Sequence, residues 1–228
     1  MNTTKLLVGL LIVCTLFLTA CNLTGGTVTE PDTCAALADR AKDDCYAEQL
    51  KCSKVKEVTM RDSCVVELAK AKEDLEVCQL IKDDKTKYYC QEQVAIVNNN
   101  QDICNRIKDS YWQDNCNFHL AVNNDEEDYC SLIDNSAQKS DCFKTIAIAN
   151  KDYLICDFLS SQERESCVYK VAVEARSLEA CQQLRESINR DSCRSKLAKL
   201  TRNRSYCDLI GFDMIKESCY AQFPITTS

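Results

Sequence analysis

Cysteine is the residue type in this chain with the most chemistry to offer, and its spacing is regular. Sixteen of the 18 cysteines form eight pairs whose members lie 11 or 12 positions apart. From Cys52 onward, the first cysteine of each pair recurs every 26 residues, with a single step of 25 between Cys156 and Cys181. Thiols placed in this way could form disulfides, bind a metal or exchange electrons.

Structural disulfides account for this pattern best. An even number of regularly spaced cysteines is typical of proteins from oxidising compartments. Metal sites, thioredoxin-type centres and haem attachment need a CxxC motif or a comparable cluster, and the sequence contains none. His119, the only histidine, is interpreted as a helix-surface residue. We therefore predict no metal and no cofactor; metal sequestration and dithiol redox chemistry are the less favoured alternatives.

The elements that must position these cysteines follow from aligning the copies, since a fixed period of this size indicates a repeat protein. Three residues after each first cysteine the chain is apolar in all eight copies, as Ile81 and Ile107 illustrate. This spacing is one face of a helix. Short acceptors such as Asp74 and Asn100, four residues before the cysteine, predict the N-cap of a short helix of about two turns.

Each second cysteine is followed by a different apolar pattern. Apolar residues stand four positions later and alanines five positions later in most copies, as in Val94 and Ala95. This narrow stripe predicts a second helix, which we expect to begin at the cysteine after a polar turn such as Lys82–Lys87. Acidic residues two positions before the cysteine, such as Asp114, are expected at the positive end of this helix.

Two antiparallel helices joined by a short turn bring residues equidistant from the turn together, so the cysteines are predicted to pair within each hairpin. Pairing between hairpins fails at Cys45 and Cys52, because the seven residues that separate them would span about 10 Å along one helix, which is too far for a disulfide. The predicted disulfides are Cys34–Cys45, Cys52–Cys64, Cys78–Cys90, Cys104–Cys116, Cys130–Cys142, Cys156–Cys167, Cys181–Cys193 and Cys207–Cys219.

The predicted fold is all-α, an α-solenoid of about eight short helical hairpins with a period of about 26 residues and one disulfide per hairpin. In outline it resembles tetratricopeptide and Sel1-like arrays, but those repeats are longer and their Trp-Leu-Gly-Tyr pattern is absent. The resemblance therefore implies the architecture and no binding residues. Residues 30–228 are assigned to this domain, with the shortened first copy and the segment ending at Pro224 as capping units.

The N-terminal segment carries targeting signals. Fifteen uncharged residues follow Lys5, which is typical of a secretory signal and short for a membrane span. The run ends in Leu18-Thr19-Ala20-Cys21, which resembles the lipobox of prokaryotic lipoproteins. This resemblance implies that 1–20 is a cleaved signal peptide, that Cys21 is lipidated and that 21–29 is a flexible tether. The alternative is an uncleaved anchor with an ordinary Cys21; both place the rest of the chain outside the cytoplasm.

Charge and composition exclude several functions. The formal net charge is −7 and there is no basic block, so no nucleic-acid partner is predicted. A lone histidine and only four glycines leave no basis for a catalytic triad or a phosphate-binding loop, so no catalytic residues are assigned and the protein is predicted not to be an enzyme. The acidic run Asp125–Asp128 lacks calcium-loop spacing and suits the start of a helix better.

Two features could form a binding surface. Basic residues recur three positions before the second cysteine, for which a solvated, charge-balanced edge is the simpler interpretation. Tyr88, Tyr89, Tyr111 and Trp112 fall in consecutive copies at predicted turns, where they either pack on neighbouring turns or recognise a partner.

We predict an extracytoplasmic lipoprotein, anchored in the cell membrane or an outer membrane, that binds or scaffolds an extracytoplasmic protein partner. A passive structural spacer of the cell envelope is the alternative.

Overall fold

The structure, a computed structural model, describes residues 32–223, and every element in this range is helical. The signal peptide, Cys21, the tether and Pro224 lie outside the described residues. The described part divides into two units between Ala38 and Asp39, and the first contains one short 3₁₀ helix, Thr33–Ala36. The long helices of the second unit are α1 (Asp39–Glu48), α2 (Val58–Lys72), α3 (Asp84–Val97), α4 (Ser110–Asn124), α5 (Ser136–Asn150), α6 (Ser161–Ala175), α7 (Ser187–Thr201) and α8 (Asp213–Ala221).

A short helix precedes each long helix from α2 onward, and each such pair is called a hairpin, numbered after its long helix. The predicted helical repeat is therefore confirmed. The short helices contain the first cysteine of each pair and are one or two turns long. They are Cys52–Lys54, Leu75–Leu80, Tyr153–Phe158 and Arg204–Leu209, which are 3₁₀ helices, and Gln101–Cys104, Asp128–Ser131 and Leu178–Gln182, which are α-helical.

Caps define the start of most short helices as predicted. Five side chains accept a hydrogen bond from a backbone N–H two or three residues later, which satisfies a donor that the helix leaves free. They belong to Asp74, Asn100, Asp152, Ser177 and Asn203. Two other copies carry a glutamate at this position, and neither glutamate is the cap. Glu48 is the last residue of α1, and Glu126 precedes a helix whose N-cap, Glu127, makes no side-chain cap bond.

The long helices begin earlier than predicted. α3 starts at Asp84, six residues before Cys90, and Asp83 caps it by accepting a hydrogen bond from Thr86 N at 2.8 Å. The segment Lys82–Lys87 is therefore mostly the first turn of the helix. A first turn has free N–H groups and faces solvent, so its composition is as polar as that of a loop. This similarity is why the sequence pattern placed the boundary too late.

The core is formed by the predicted stripes. Cys90, Val94 and Ala95 have no exposed surface. Six of the eight residues three positions after the first cysteines, such as Ile81, are buried as well, whereas Leu159 is partly buried and Leu37 is exposed. Each long helix from α1 to α7 contacts the next long helix and the short helix that lies between them in sequence. Hairpins therefore stack on their neighbours, as in an α-solenoid. No helix within residues 32–223 is long and apolar enough to cross a membrane.

The prediction of one disulfide per hairpin is confirmed. The Cα atoms of the bridged cysteines lie 5.4–5.8 Å apart, within the usual range for disulfides. Cys34 and Cys45 each take part in a disulfide as well. The bridges within hairpins 2 to 8 are Cys52–Cys64, Cys78–Cys90, Cys104–Cys116, Cys130–Cys142, Cys156–Cys167, Cys181–Cys193 and Cys207–Cys219.

Four of the six acidic residues two positions before the second cysteine bind the next hairpin, which corrects the prediction. Asp114 of α4 accepts hydrogen bonds from the backbone N–H groups of Asp134 (2.8 Å) and Asn135 (2.9 Å), at the start of α5. We call these residues the bridging carboxylates. Three others make equivalent bonds between successive long helices: Asp43, Glu165 and Asp191.

Candidate binding site at the junction of hairpins 3 and 4

An aromatic cluster lies where α3 meets α4. The ring centroids of Tyr89 and Trp112 are 6.4 Å apart and those of Tyr111 and Trp112 are 5.7 Å apart, both in edge-to-face arrangements. Tyr89 and Tyr111 are 43% and 64% exposed, whereas Trp112 is half-buried and packs on the core. We call these three residues the aromatic cluster. They lie in the first two turns of α3 and α4, not in turns between helices as predicted.

Tyr88 does not form a ring contact with the aromatic cluster, although the sequence grouped the four residues. It is partly buried against the core and lines a separate cleft of about 530 Å³. Adjacent residues on a helix point in directions about 100° apart, so Tyr88 and Tyr89 face different surroundings. The aromatic pair 88–89 is thus divided between two surfaces of the same junction.

A buried polar group adjoins the cluster between the same two helices. Glu92 of α3 is completely buried, and its Oε1 accepts hydrogen bonds from Asn115 Nδ2 (3.0 Å) and His119 Nδ1 (2.5 Å) of α4. The hydrogen bond to Glu92 raises the pKa of His119. Oε2 of Glu92 is buried and has no hydrogen-bond partner within the described part of the chain. His119 was interpreted as a helix-surface residue; its side chain is 42% exposed and is in addition the partner of a buried carboxylate.

Polar residues replace apolar ones at other core positions of this junction. The residue after the second cysteine is Gln91 in hairpin 3 and Asn117 in hairpin 4, and both are buried. Hairpins 2, 5 and 6 carry Val65, Phe143 and Val168 at this position, also buried. Gln91 Oε1 and Asn117 Oδ1 lack hydrogen-bond partners among the described residues. Burying polar groups without hydrogen bonds costs free energy. The polar residues of hairpins 3 and 4 therefore lower the stability of this junction.

The polar residues buried at this junction could have been found from the sequence. Aligning the eight copies shows Gln91, Glu92 and Asn117 where most other copies are apolar or small, and this departure marks the junction. The pairing of Glu92 with Asn115 and His119 gave no such signal, because it depends on how two neighbouring helices are aligned along their axes.

The basic residues that recur before the second cysteine are mostly engaged within the protein. Arg164 is buried, forms an ion pair with Asp157 at 2.6 Å and donates to the carbonyl of Gln183 at 3.1 Å. Arg190 donates to the carbonyls of Leu184 and Arg185. These contacts connect short and long helices, so this row serves the fold more than a partner.

Candidate metal ligands do not converge. The acidic run Asp125–Asp128 is divided between the left-handed C-cap of α4 at Asp125 and the first turn of the following short helix. Among residues 32–223 there is no group of three or more histidine, cysteine or acidic side chains that could hold a metal ion.

No family model matches this chain. No curated protein and no solved structure is significantly similar to it either.

Proposed function

We propose that the protein is a lipid-anchored, extracytoplasmic binding module for a protein partner, and that the aromatic cluster is its contact surface. The observation that supports this most is the concentration of departures from the repeat at one junction. Tyr and Trp are enriched at the centres of protein interfaces, where a rigid ring contributes much contact area. Exposed Tyr89 and Tyr111 beside half-buried Trp112 have this composition.

The buried polar group beneath the cluster supports the same proposal. Glu92, Asn115 and His119 join α3 to α4 by hydrogen bonds, whose geometry is more specific than that of apolar packing. A recognition surface made by two helices needs their spacing to be fixed. A repeat selected only as a spacer has no need for a completely buried carboxylate, and within residues 32–223 Glu92 is the one acidic residue with no exposed surface.

Retention of a partner tests the contact surface. The double variant Tyr89→Ser/Tyr111→Ser should reduce the affinity for a membrane-extracted partner about tenfold or more, because each ring is a potential hot spot. Helix content by circular dichroism should be unchanged, since both rings are exposed. Trp112 is left intact because it packs on the core.

Leu154→Ser/Met214→Ser provides the matched control. These side chains are 58% and 72% exposed and belong to other hairpins. Equal loss of the partner in both double variants would mean that general apolar exposure, not the aromatic cluster, causes retention. Retention unaffected by the tyrosine changes would favour the spacer function.

The anchoring is proposed from the Leu18–Cys21 motif and from the disulfides, which persist in oxidising compartments. Cys21→Ser should leave the precursor unprocessed or release the protein from membranes. The measurement is fractionation combined with the mass of the N-terminal peptide. A Ser variant that is processed and membrane-bound like the parent would contradict lipidation at Cys21.

A further inference from the structure

A row of equivalent residues follows the edge of the array where the long helices end. Nine positions after the second cysteine of hairpins 2 to 7, the chain has a left-handed backbone conformation, with φ between 45° and 56°. All six residues at this position are exposed. We call them the edge row: Glu73, Asn99, Asp125, Lys151, Arg176 and Arg202.

Hydrogen bonds show that successive members of the edge row are neighbours in space. In three hairpins the asparagine just before a member donates its side-chain amide to the preceding member of the row. These bonds are Asn98 Nδ2 to Glu73 O (3.0 Å), Asn124 Nδ2 to Asn99 Oδ1 (2.6 Å) and Asn150 Nδ2 to Asp125 O (3.1 Å). Since packed helices lie about 8–10 Å apart, the row is a continuous surface across hairpins 2 to 7.

The charges of the edge row are separated along this surface. The members in hairpins 2 to 4 are acidic or neutral, whereas those in hairpins 5 to 7 are all basic. None of the charged members forms an ion pair with a described residue. Their charges are therefore available to a partner.

The sequence around the edge row strengthens this separation. Residues 109–138 contain seven acidic residues and no lysine or arginine, and residues 192–207 contain five basic residues and no acidic one. Within two residues of the charged members, the exposed charges opposite in sign to their member are Lys72 and Glu174. Asp152, beside Lys151, is partly buried and accepts a hydrogen bond from Leu154 N at 2.8 Å. The edge thus has an acidic half and a basic half.

A second copy of this chain is the partner that complements both halves. If two copies lie antiparallel, the row pairs Glu73 with Arg202, Asn99 with Arg176, and Asp125 with Lys151. A parallel arrangement in register would instead place like charges together. A polyanion or an anionic membrane would be attracted by the basic half and repelled by the acidic half, so it accounts for only part of the surface.

We infer that the edge row is a self-association surface, through which two copies pair antiparallel about a twofold axis between hairpins 4 and 5. Twofold symmetry makes each contact occur twice, so the dimer contains four pairs of opposite charge. Exposed ion pairs are individually weak, and the dimer is therefore reversible and sensitive to salt. The aromatic cluster lies at the other end of the long helices, so this pairing does not depend on it.

Sedimentation of the purified full chain, in density-matched detergent if it carries lipid, tests the pairing. A monomer–dimer equilibrium should be present at about 50 mM sodium chloride and shift to monomer at about 500 mM, because salt screens exposed charges. A chain that stays monomeric at low salt and at its highest soluble concentration would overturn the inference. Assemblies larger than a dimer would overturn the closed twofold arrangement.

Charge reversal identifies the surface. Glu73→Lys/Asp125→Lys makes every charged member positive, and Lys151→Glu/Arg202→Glu leaves Arg176 as the only positive member. Each double variant should dimerise at least about tenfold more weakly than the parent, because all four pairs become repulsive. Both signs already occur at this backbone position, so the fold should tolerate the changes, which circular dichroism checks.

Two combinations separate specific pairing from an effect of net charge. A mixture of the two double variants should form heterodimers, and the chain with all four substitutions should dimerise like the parent because its two halves are exchanged. Failure of the fourfold variant to dimerise would contradict antiparallel pairing through this row.

Lys82→Glu/Lys108→Glu is the matched control. These exposed lysines lie before α3 and α4, away from the edge row, and their reversal changes the net charge as much as Lys151→Glu/Arg202→Glu does. Dimerisation should be unchanged, and equal weakening in both variants would reject the row as the surface. A parent that stays monomeric but binds anionic phospholipid vesicles through Lys151 and Arg202 would assign the basic half to a membrane and overturn the inference.

Discussion

At the scale of single residues, the bridging carboxylates connect successive hairpins and are expected to contribute to the stability of the fold. Asp191 of α7 accepts hydrogen bonds from Gly211 N (3.0 Å) and Phe212 N (2.9 Å) and pairs with Arg194 at 3.0 Å. Asp191→Ala leaves these donors without their acceptor. We expect it to lower the free energy of unfolding by about 2 kcal/mol, as for other lost charged hydrogen bonds. Chemical denaturation measures the loss.

Glu217→Ala is the matched control for this prediction. Glu217 occupies the same repeat position in the last described hairpin and is exposed. We expect a change within about 0.5 kcal/mol, as for ordinary surface substitutions. If the two variants lost equal stability, the effect of Asp191 would come from helix α7 itself and not from the contact with hairpin 8.

The Glu92–His119 pair predicts a pH dependence. The folded-state pKa of His119 is raised above its ordinary value of 6.5, chiefly by the hydrogen bond to Glu92. The folded state thus binds the proton more tightly than the unfolded state, and this stabilisation is complete below pH 6.5 and lost as the pH rises through the folded-state pKa.

The measurement is the midpoint of urea unfolding for the parent and for His119→Gln, between pH 5 and 9. The parent should lose stability relative to the variant as the pH rises from 6.5. A constant difference between the two proteins across this range would show that the pair contributes no proton-linked stability.

At the scale of elements, the sequence predicted whatever depends on spacing within one copy. Cysteine pairs, the apolar residue three positions later and five of the N-caps are local features that recur, so alignment of the copies was sufficient. The start of α3 and the role of Asp114 were missed because a polar first turn has the composition of a loop and because the acceptor serves the next hairpin. For the candidate site, Tyr89, Tyr111 and Trp112 were recognisable, whereas Glu92 needed the alignment of two helices.

The disulfide is the main covalent support of each hairpin, and its removal gives an element-scale prediction. Cys130 and Cys142 are completely buried and close a loop of about a dozen residues. Cys130→Ala/Cys142→Ala should cost about 3 kcal/mol from the lost loop constraint. Calorimetry of the parent and the double variant measures the change; an unchanged unfolding temperature would show that packing alone holds hairpin 5.

At the scale of the whole molecule, stability should be distributed along the chain, because the main contacts between hairpins within residues 32–223 are those between neighbours in sequence. A defect in hairpin 8 then affects one interface, whereas a defect in hairpin 5 affects two. Cys207→Ala/Cys219→Ala should raise hydrogen exchange in residues 204–221 and leave α2 to α6 protected. Cys130→Ala/Cys142→Ala should raise exchange in hairpin 5 and in both neighbours.

Hydrogen exchange with mass spectrometry on the oxidised proteins distinguishes this behaviour from global unfolding. In a nearest-neighbour array, the protection lost should decline with distance from the altered hairpin, because each interface contributes its own coupling free energy. The remaining disulfides hold each hairpin together when its neighbour opens, which favours such a gradient. If both double variants lost protection equally from α2 to α8, the chain would unfold as one cooperative unit, and the junction of hairpins 3 and 4 would be sensitive to a defect anywhere in the array.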